Sequence, residues 1–311
     1  MFTLKENQEA YRKHFAYATK GYCIFAVMTI RCNYSCSICS YSCTHKCDDE
    51  WTITYEVIDA FIEKLKAYKN TDIKPIVCLY GGEPTLELDK CEYLAKKVHE
   101  LGFPVSMWTN GWWGSNPAIR KRIYDNIKPF VIMLSVDSYH DNSLENDIIP
   151  IIEDFKDCSH VIPCGFAGHS KLENLKKLYP DLKVHEDEAV LDMGRAYENE
   201  TKDKQIVNKG YGACNKTACA LKPNGIIGFD CCHDMRNSCN YGSVFDKDFD
   251  LTQVYKHFEY YHTFPTEQWC DEHPEFNCTT SDPLPSGVRK WNFNNNYEFK
   301  CTHLKYSDLY L

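Results

Sequence analysis

Short apolar runs alternate with stretches of helical periodicity along the first two thirds of the chain. The runs that predict strands one to six are 22–30, 76–80, 105–109, 130–136, 161–165 and 182–185. The first helix between them is predicted from apolar residues at the spacing of one face: Val57, Ile58, Phe61, Ile62 and Leu65. Six strand–helix repeats indicate a parallel sheet with helices outside it. We therefore expect an α/β fold, a partial (β/α)6 TIM-type barrel over residues 21–200 that follows a polar arm over 1–20.

Polar and Gly-rich segments follow the ends of three predicted strands. Gly-Gly-Glu-Pro at 81–84 follows strand two, Asn-Gly at 110–111 follows strand three, and Asp-Ser at 137–138 follows strand four. In barrels of parallel strands, the carboxyl ends of the strands meet at one rim, and that rim carries the chemistry. The sequence therefore predicts an active site built from these loops.

The composition changes after about residue 200, where apolar runs become short and Asn, Lys, Gly and Cys dominate. Eight cysteines fall in this last third of the chain. Pro223-Asn224-Gly225 is a hairpin turn signal between two of these short runs. We expect residues 201–311 to form a small cysteine-rich domain.

Composition and charge narrow the class of protein. The net charge of −9 argues against an extended nucleic-acid-binding surface, without excluding a local basic patch. The start of the chain has no signal-peptide pattern and no apolar run reaches the length of a membrane span, so we expect a cytoplasmic protein with no membrane partner. In that compartment, 18 cysteines favour metal clusters over disulfides.

The cysteine-rich segment after strand one is the strongest candidate for chemistry. Cys32, Cys36 and Cys39 have C-x3-C-x2-C spacing. Three thiolates can hold three corners of a 4Fe–4S cluster and leave the fourth iron open, whereas zinc normally takes a fourth protein ligand. A zinc knuckle and buried thiols are the alternatives. Cys43 and Cys47 are either loop residues near this site, which we favour, or part of a second small metal site.

The cysteine motif, the Gly-Gly-Glu-Pro segment and the six-unit barrel together resemble the radical S-adenosylmethionine (SAM) superfamily over about residues 20–197. The resemblance implies that Cys32, Cys36 and Cys39 hold a 4Fe–4S cluster whose open iron binds the amino and carboxylate groups of SAM. It also implies reductive cleavage of SAM to methionine and a 5′-deoxyadenosyl radical, which abstracts a hydrogen atom from the substrate. Such an enzyme is an oxidoreductase or an isomerase.

The resemblance extends to residues that contact SAM. In this family, Glu83 and the glycines before it line the methionyl ammonium group, Ile38 lies near adenine, and Arg195 is either a structural pin or a ligand of the SAM carboxylate. The full set that the resemblance implies as cofactor-binding is Ile38, Gly81, Gly82, Glu83, Pro84, Asn110, Ser135, Asp137 and Arg195.

The last third resembles, more loosely, the auxiliary-cluster extensions of this superfamily, the SPASM and twitch domains. This resemblance implies a second 4Fe–4S cluster. Its candidate ligands are Cys214, either Cys231 or Cys232, Cys270 and Cys278. Cys219 and Cys239 are candidates for a thiol that returns a hydrogen atom to a substrate radical. The spacing departs from the family pattern, since the final pair is C-x7-C rather than C-x2-C.

The substrate is predicted only as a class. We expect radical modification of a peptide or peptide-like substrate by epimerisation, crosslinking or oxidation. One alternative is an epimerase, dehydrogenase or isomerase of a small polar metabolite, such as an aminoglycoside sugar or a nucleoside. Another is a non-enzymatic iron–sulfur scaffold or electron carrier. An enzyme of this kind needs an electron donor such as flavodoxin or ferredoxin as a partner.

Overall fold

The computed structural model of the protein describes residues 23–39, 41–45, 51–71, 75–156, 160–166, 168–187, 195, 218–229 and 240–254. Its first six strands are β1 (Cys23–Thr29), β2 (Ile76–Gly81), β3 (Val105–Thr109), β4 (Val131–Ser135), β5 (His160–Phe166) and β6 (His185–Asp187). The helices between them are α1 (Tyr55–Leu65), α2 (Leu88–Glu100), α3 (Pro117–Arg122), α4 (Ile149–Phe155) and α5 (Ser170–Leu178). The predicted strand–helix alternation is therefore confirmed, although β6 begins only where its predicted run ends.

Local sequence signals place the helix ends. The Thr54 hydroxyl accepts a hydrogen bond from the Val57 N–H at 3.2 Å and caps α1, and the apolar face predicted for this helix is buried. Asn116 caps α3 directly before Pro117, and a π-helical turn over Ile123–Ile127 continues that helix. A second π-helical turn, over Leu144–Ile148, leads into α4. The α1 and α3 helices thus begin where the sequence satisfies their first N–H groups.

The strands form one mostly parallel sheet in the order β6-β5-β4-β3-β2-β1-β7-β8-β9. Its last three strands are β7 (Ala218–Leu221), β8 (Ile226–Phe229) and β9 (Asn240–Ser243). The predicted turn at Pro223–Gly225 is confirmed, because β7 and β8 are an antiparallel hairpin. β7 itself pairs in parallel with β1.

The described parts of the last third extend this sheet. β7, β8 and β9 continue it from the edge of β1. A strand at the edge of a sheet leaves N–H and C=O groups unpaired, and β7 supplies their partners on β1. The boundary predicted between residues 200 and 201 lies outside the described residues.

Alternation along the strands separates two apolar layers. Ile24, Ala26 and Met28 of β1 belong to the layer that packs against the helices, whereas Phe25 and Val27 belong to the opposite layer, called here the inner face. Cys32 and Cys43 belong to the inner-face layer, and Cys39 packs against it. None of the described helices is long and apolar enough to cross a membrane.

Candidate active site

The cysteine loop (residues 31–39 and 41–44) starts where β1 ends and folds back on itself. The Cys32 N–H donates to the Thr44 carbonyl at 3.0 Å, and the Cys39 N–H donates to the Cys36 carbonyl at 3.2 Å. Cys32 and Cys36 are buried and Cys39 is partly buried. The loop therefore places the three cysteines of the motif at the carboxyl end of β1.

The sulfur atoms of this loop accept hydrogen bonds. The Cys32 Sγ accepts from the Tyr34 N–H at 3.4 Å and from the Asn110 amide at 3.6 Å, and the Cys39 Sγ accepts from the Cys43 N–H at 3.3 Å. Burial raises the pKa of Cys32 to about 12. A hydrogen bond from the Cys43 thiol lowers the pKa of Cys39 to about 6. A lowered pKa favours the thiolate, which is the form of cysteine that binds metal.

Arg195 fastens the cysteine loop from a distant part of the chain. Its guanidinium donates to the carbonyls of Cys36, at 2.5 Å, and Cys43, and its backbone N–H donates to the Cys39 carbonyl at 2.9 Å. These contacts support the structural pin among the two predicted roles. The guanidinium orders the loop that carries the thiols.

The Gly-Gly-Glu-Pro segment lies directly against the start of the cysteine loop. The Gly82 N–H donates to the Thr29 carbonyl at 2.7 Å, and the Glu83 N–H donates to the Arg31 carbonyl at 2.8 Å. A Cβ on Gly82 would lie 2.2 Å from the Arg31 oxygen, so only glycine allows this approach of two backbones. The glycines thus fix the distance between the ends of β1 and β2.

The carboxylate of Glu83 faces into the protein and holds two strand ends together. It is fully buried and accepts hydrogen bonds from the Thr85 N–H and hydroxyl, the Thr109 hydroxyl and the Asn110 N–H, at 2.5 to 3.1 Å. The indoles of Trp112 and Trp113 donate in turn to those threonine hydroxyls at 2.9 Å. With these donors around its two oxygens, the side chain holds the ends of β2 and β3 together.

Asn110 follows β3, Ser135 is the last residue of β4, and Asp137 follows β4, all at the same edge of the sheet as the cysteine loop. Asn110 is buried, and its amide donates to Asn33 Oδ1 at 2.9 Å as well as to the Cys32 sulfur. Ser135 is partly buried, and its carbonyl accepts from the Asn142 amide at 2.8 Å. Asp137 is buried and accepts from the Tyr139 N–H at 2.8 Å. Of these three, Asn110 touches the thiols.

His140 is a site residue that sequence reasoning missed. Its Nδ1 lies 2.8 Å from the Asp137 carboxylate, and its ring also hydrogen-bonds Cys36. Burial alone would lower the pKa of His140, but these two partners outweigh it and raise that pKa to about 10. The Asp-x-x-His spacing directly after strand four was the available signal. The loop after β4 thereby reaches the second thiol of the motif.

Ile38 and Pro84 lie at the same rim. Ile38 is partly buried in the turn between Cys36 and Cys39, and Pro84 is buried as the first residue of a 3-10 turn over Pro84–Glu87. An aromatic group packs with Cys32 and Cys43 on the inner face. Tyr80 is the centre of this group, with ring centroids 4.9 Å from Phe25, 5.9 Å from Tyr41 and 5.7 Å from Trp108.

The structure does not bring Cys219 to this site. Cys219 is fully buried in β7 and packs in the helix-facing layer, on the opposite side of the sheet from the cysteine loop. Strand alternation explains the placement, because Ala220 takes the inner face and its neighbours take the other. This position does not fit a hydrogen donor to substrate. The other cysteines proposed for the last third lie outside the described residues: Cys214, Cys231, Cys232, Cys239, Cys270 and Cys278.

The residues present fit a 4Fe–4S cluster. Three thiols share one loop, and two buried donors beside it, the Ser42 hydroxyl and the Trp51 indole, have no hydrogen-bond partner in the described part of the chain. Ser42 also has a left-handed backbone, with φ of 51°. Such donors suit the sulfur atoms of a cluster. Among the described residues, no three His, Cys, Asp or Glu side chains converge on a single metal ion.

Comparisons with known proteins agree with this geometry. Residues 26–157 match the family model described as Radical SAM superfamily. A 7-carboxy-7-deazaguanine synthase of Methanospirillum hungatei is 30% identical over 93 residues, which cover 30% of this chain and 36% of that protein. The chain thus matches only about a third of the length of this curated relative.

Two solved structures show the same fold. Native anSMEcpe with bound AdoMet and the Cp18Cys peptide is similar with a TM-score of 0.50 and 13% identity, over 93% of this chain and 94% of that one. A histidine-tagged form of anSMEcpe with bound AdoMet gives a TM-score of 0.51 and 12% identity, over 93% of this chain and 95% of that one. These two structures share the fold of this chain, and residues 26–157 match the radical SAM domain.

Proposed function

We propose that the protein is a radical SAM enzyme that cleaves SAM reductively and abstracts a hydrogen atom from its substrate. Cys32, Cys36 and Cys39 would hold the 4Fe–4S cluster, and the Gly-Gly-Glu-Pro backbone would contact the methionyl group of SAM. When bound, the cluster supplies the electron that converts SAM to methionine and a 5′-deoxyadenosyl radical. The chain itself orders the thiols, holds the rim in shape and shields it from water.

One observation carries this proposal. The Gly82 and Glu83 N–H groups are bonded to the carbonyls of Thr29 and Arg31, directly before the first cysteine, at 2.7 and 2.8 Å. Thiols and SAM-binding backbone are thereby fixed beside each other by the main chain. A scaffold that only stored or passed electrons would need the thiols but not this second segment, so the arrangement supports catalysis over an electron carrier.

Anaerobic assay of the reconstituted and reduced protein tests the proposal. Incubation with SAM and dithionite should release 5′-deoxyadenosine, which is measured by chromatography and mass spectrometry. The variant with Cys32, Cys36 and Cys39 all changed to Ala should release none and should hold about four fewer irons per chain. Unchanged iron in that variant would contradict the ligand assignment, and an inactive wild type with a full cluster would contradict the assignment as an enzyme.

We place a peptide or peptide-like molecule first as the substrate. The support is the rim with its aromatic group, together with a fold shared with a protein whose solved structure holds AdoMet and a peptide. Epimerisation, crosslinking and oxidation all begin with the same hydrogen abstraction. Deuterium transfer from labelled candidate peptides into 5′-deoxyadenosine would identify the substrate, because only the abstracted position gives its label.

A small polar metabolite is the second candidate. Its support is the similarity to a 7-carboxy-7-deazaguanine synthase, a protein whose name refers to a small nitrogen heterocycle. The same deuterium assay with sugars and nucleosides in place of peptides separates the two classes. Label transfer from a metabolite and none from peptides would reverse our order.

We further propose an auxiliary 4Fe–4S cluster bound by cysteines of the last third, and a flavodoxin or ferredoxin as electron donor. The support for the cluster is the sequence resemblance and the confirmed hairpin at residues 218–229. Changing Cys270 and Cys278 to Ala should remove about four irons while the SAM-dependent cluster spectrum remains. Retention of all iron would mean either that other residues bind the auxiliary cluster or that the protein has no such cluster.

A further inference from the structure

The side chain of Asn110 reaches from the end of β3 to the cysteine loop and contacts one of the three proposed ligands. Asn110 is only 5% exposed. Its Nδ2 donates to the Cys32 Sγ at 3.6 Å and to Asn33 Oδ1 at 2.9 Å. An amide nitrogen carries two hydrogens, so both can be used within the cysteine loop. Neither bond depends on pH, because the amide does not titrate.

A neighbouring backbone group fixes which way round this amide lies. The Oδ1 of Asn110 accepts a hydrogen bond from the Trp112 N–H at 3.0 Å. A backbone N–H can only donate, so the amide atom that faces it must be the oxygen. The nitrogen of the same amide must then face Cys32. The direction of the hydrogen bond, from Asn110 to the sulfur, follows from this arrangement.

The backbone of Asn110 is also held on both sides. Its N–H donates to Glu83 Oε2 at 2.8 Å, and its carbonyl accepts from the Asn142 side-chain amide at 2.6 Å. Both of these partners are buried. A donor that is anchored in this way does not need to reorganise when the charge on its acceptor changes.

Hydrogen bonds to the sulfur ligands are one of the means by which proteins set the reduction potential of iron–sulfur clusters. Cys32 Sγ also accepts from the Tyr34 N–H at 3.4 Å. That second donor belongs to the main chain and stays in place when a side chain is changed. The Asn110 amide is therefore a donor to this sulfur that a substitution can remove selectively.

We propose that Asn110 is a positioning residue whose amide N–H donates to the Cys32 sulfur of the SAM-binding cluster and thereby raises the reduction potential of that cluster. Reduction adds one electron, and part of its negative charge resides on the ligand sulfurs. The donor stabilises the reduced cluster more than the oxidised one. This role does not require Asn110 to contact SAM. The inference rests on the proposed function, because it requires the cluster.

Redox titration of the holoenzyme tests the inference. The cluster signal followed by EPR is the one that is absent from the variant with Cys32, Cys36 and Cys39 all changed to Ala. Asn110→Leu is close to asparagine in shape and removes the N–H donor. It should keep the iron content of the wild type but make reduction about tenfold less favourable, a fall of about 59 mV for a one-electron couple. Asn110→Ala should lower the potential in the same direction, which covers the case in which the buried leucine prevents folding.

Asn142→Leu is the matched control, because it removes a second buried amide at the same rim. That amide donates to the backbone carbonyls of Asn110 and Ser135 rather than to a sulfur. Its loss should lower the stability of the protein but leave the potential close to that of the wild type. An equal fall in Asn142→Leu would attribute the effect to loosening of the rim and overturn the inference.

Two other results would also overturn the inference. One is an unchanged potential in both Asn110 variants. The other is loss of iron from both, which would mean that Asn110 is needed to hold the cluster rather than to set its potential. Failure of the proposed function is distinguishable, because the wild type itself would then lack the EPR signal or release no 5′-deoxyadenosine from SAM.

Discussion

Gly82→Ala should test the contact between the Gly-Gly-Glu-Pro segment and the cysteine loop. The new Cβ would lie 2.2 Å from the Arg31 carbonyl oxygen and 2.7 Å from its carbonyl carbon, both backbone atoms. The Gly-Gly-Glu-Pro segment and the cysteine loop must move apart by about 1 Å for the new Cβ to reach ordinary contact distance. Hydrogen bonds now at 2.7 and 2.8 Å would then lie beyond normal range. Overpacking and the loss of these bonds together should lower the free energy of unfolding by about 3 kcal/mol.

Urea unfolding followed by circular dichroism measures this loss. Gly102→Ala is the control, because its Cβ meets nothing within 4 Å although its φ is +80°. That left-handed backbone should cost about 1 kcal/mol with alanine, so the two variants should differ by about 2 kcal/mol. Anaerobic release of 5′-deoxyadenosine should also fall in Gly82→Ala alone. Equal stability losses in the two variants would refute the view that a steric limit sets this contact.

Three further changes probe other parts of the molecule. Glu83→Gln should lower the free energy of unfolding by about 1–3 kcal/mol, because the new amide N–H groups would face hydrogen-bond donors that now bind the carboxylate, such as the Thr85 hydroxyl and the Asn110 N–H. Thermal unfolding measures this loss of stability. Burial lowers the pKa of His160 to about 4, so its contribution to stability is present above pH 6.5 and is lost as the pH falls toward 4. His160→Gln should therefore narrow the stability difference between pH 7.5 and pH 5 by about 2 kcal/mol in urea unfolding, and an unchanged pH profile would contradict that cause. Arg195→Met should release iron to a chelator about tenfold faster than wild type, whereas Arg120→Met, a change at α3, should not.

Local signals in the sequence were enough for the elements and for the thiols. The cap at Thr54 and the apolar face of α1 depend on neighbours within one or two turns, and the predicted face is the one that is buried. The cysteine loop follows from a short spacing after one strand. The strand ends fall together because parallel strands present the same end at one edge of the sheet.

Roles that depend on distant partners were not predictable in the same way. The carboxylate of Glu83 accepts hydrogen bonds from Thr109 and Asn110 at the end of the next strand, and no local pattern reveals these partners. The contacts of Arg195 with the carbonyls of Cys36 and Cys43 join segments that are far apart in the sequence. Cys219 was chosen for its chemistry, whereas its face of the sheet depends on the pairing of β7 with β1, which no local pattern reveals.

That pairing also bears on how the chain is made. β1 lies inside the sheet between β2 and β7, and the residue that pairs with Cys23 is Ala218, which is synthesised long after it. Such non-local pairing slows folding. During synthesis, one edge of β1 stays unpaired until β7 has left the ribosome. A fragment that stops near residue 200 would keep the cysteine loop but leave that edge exposed. We therefore expect such a fragment to aggregate, even though it contains every residue of the matched radical SAM domain.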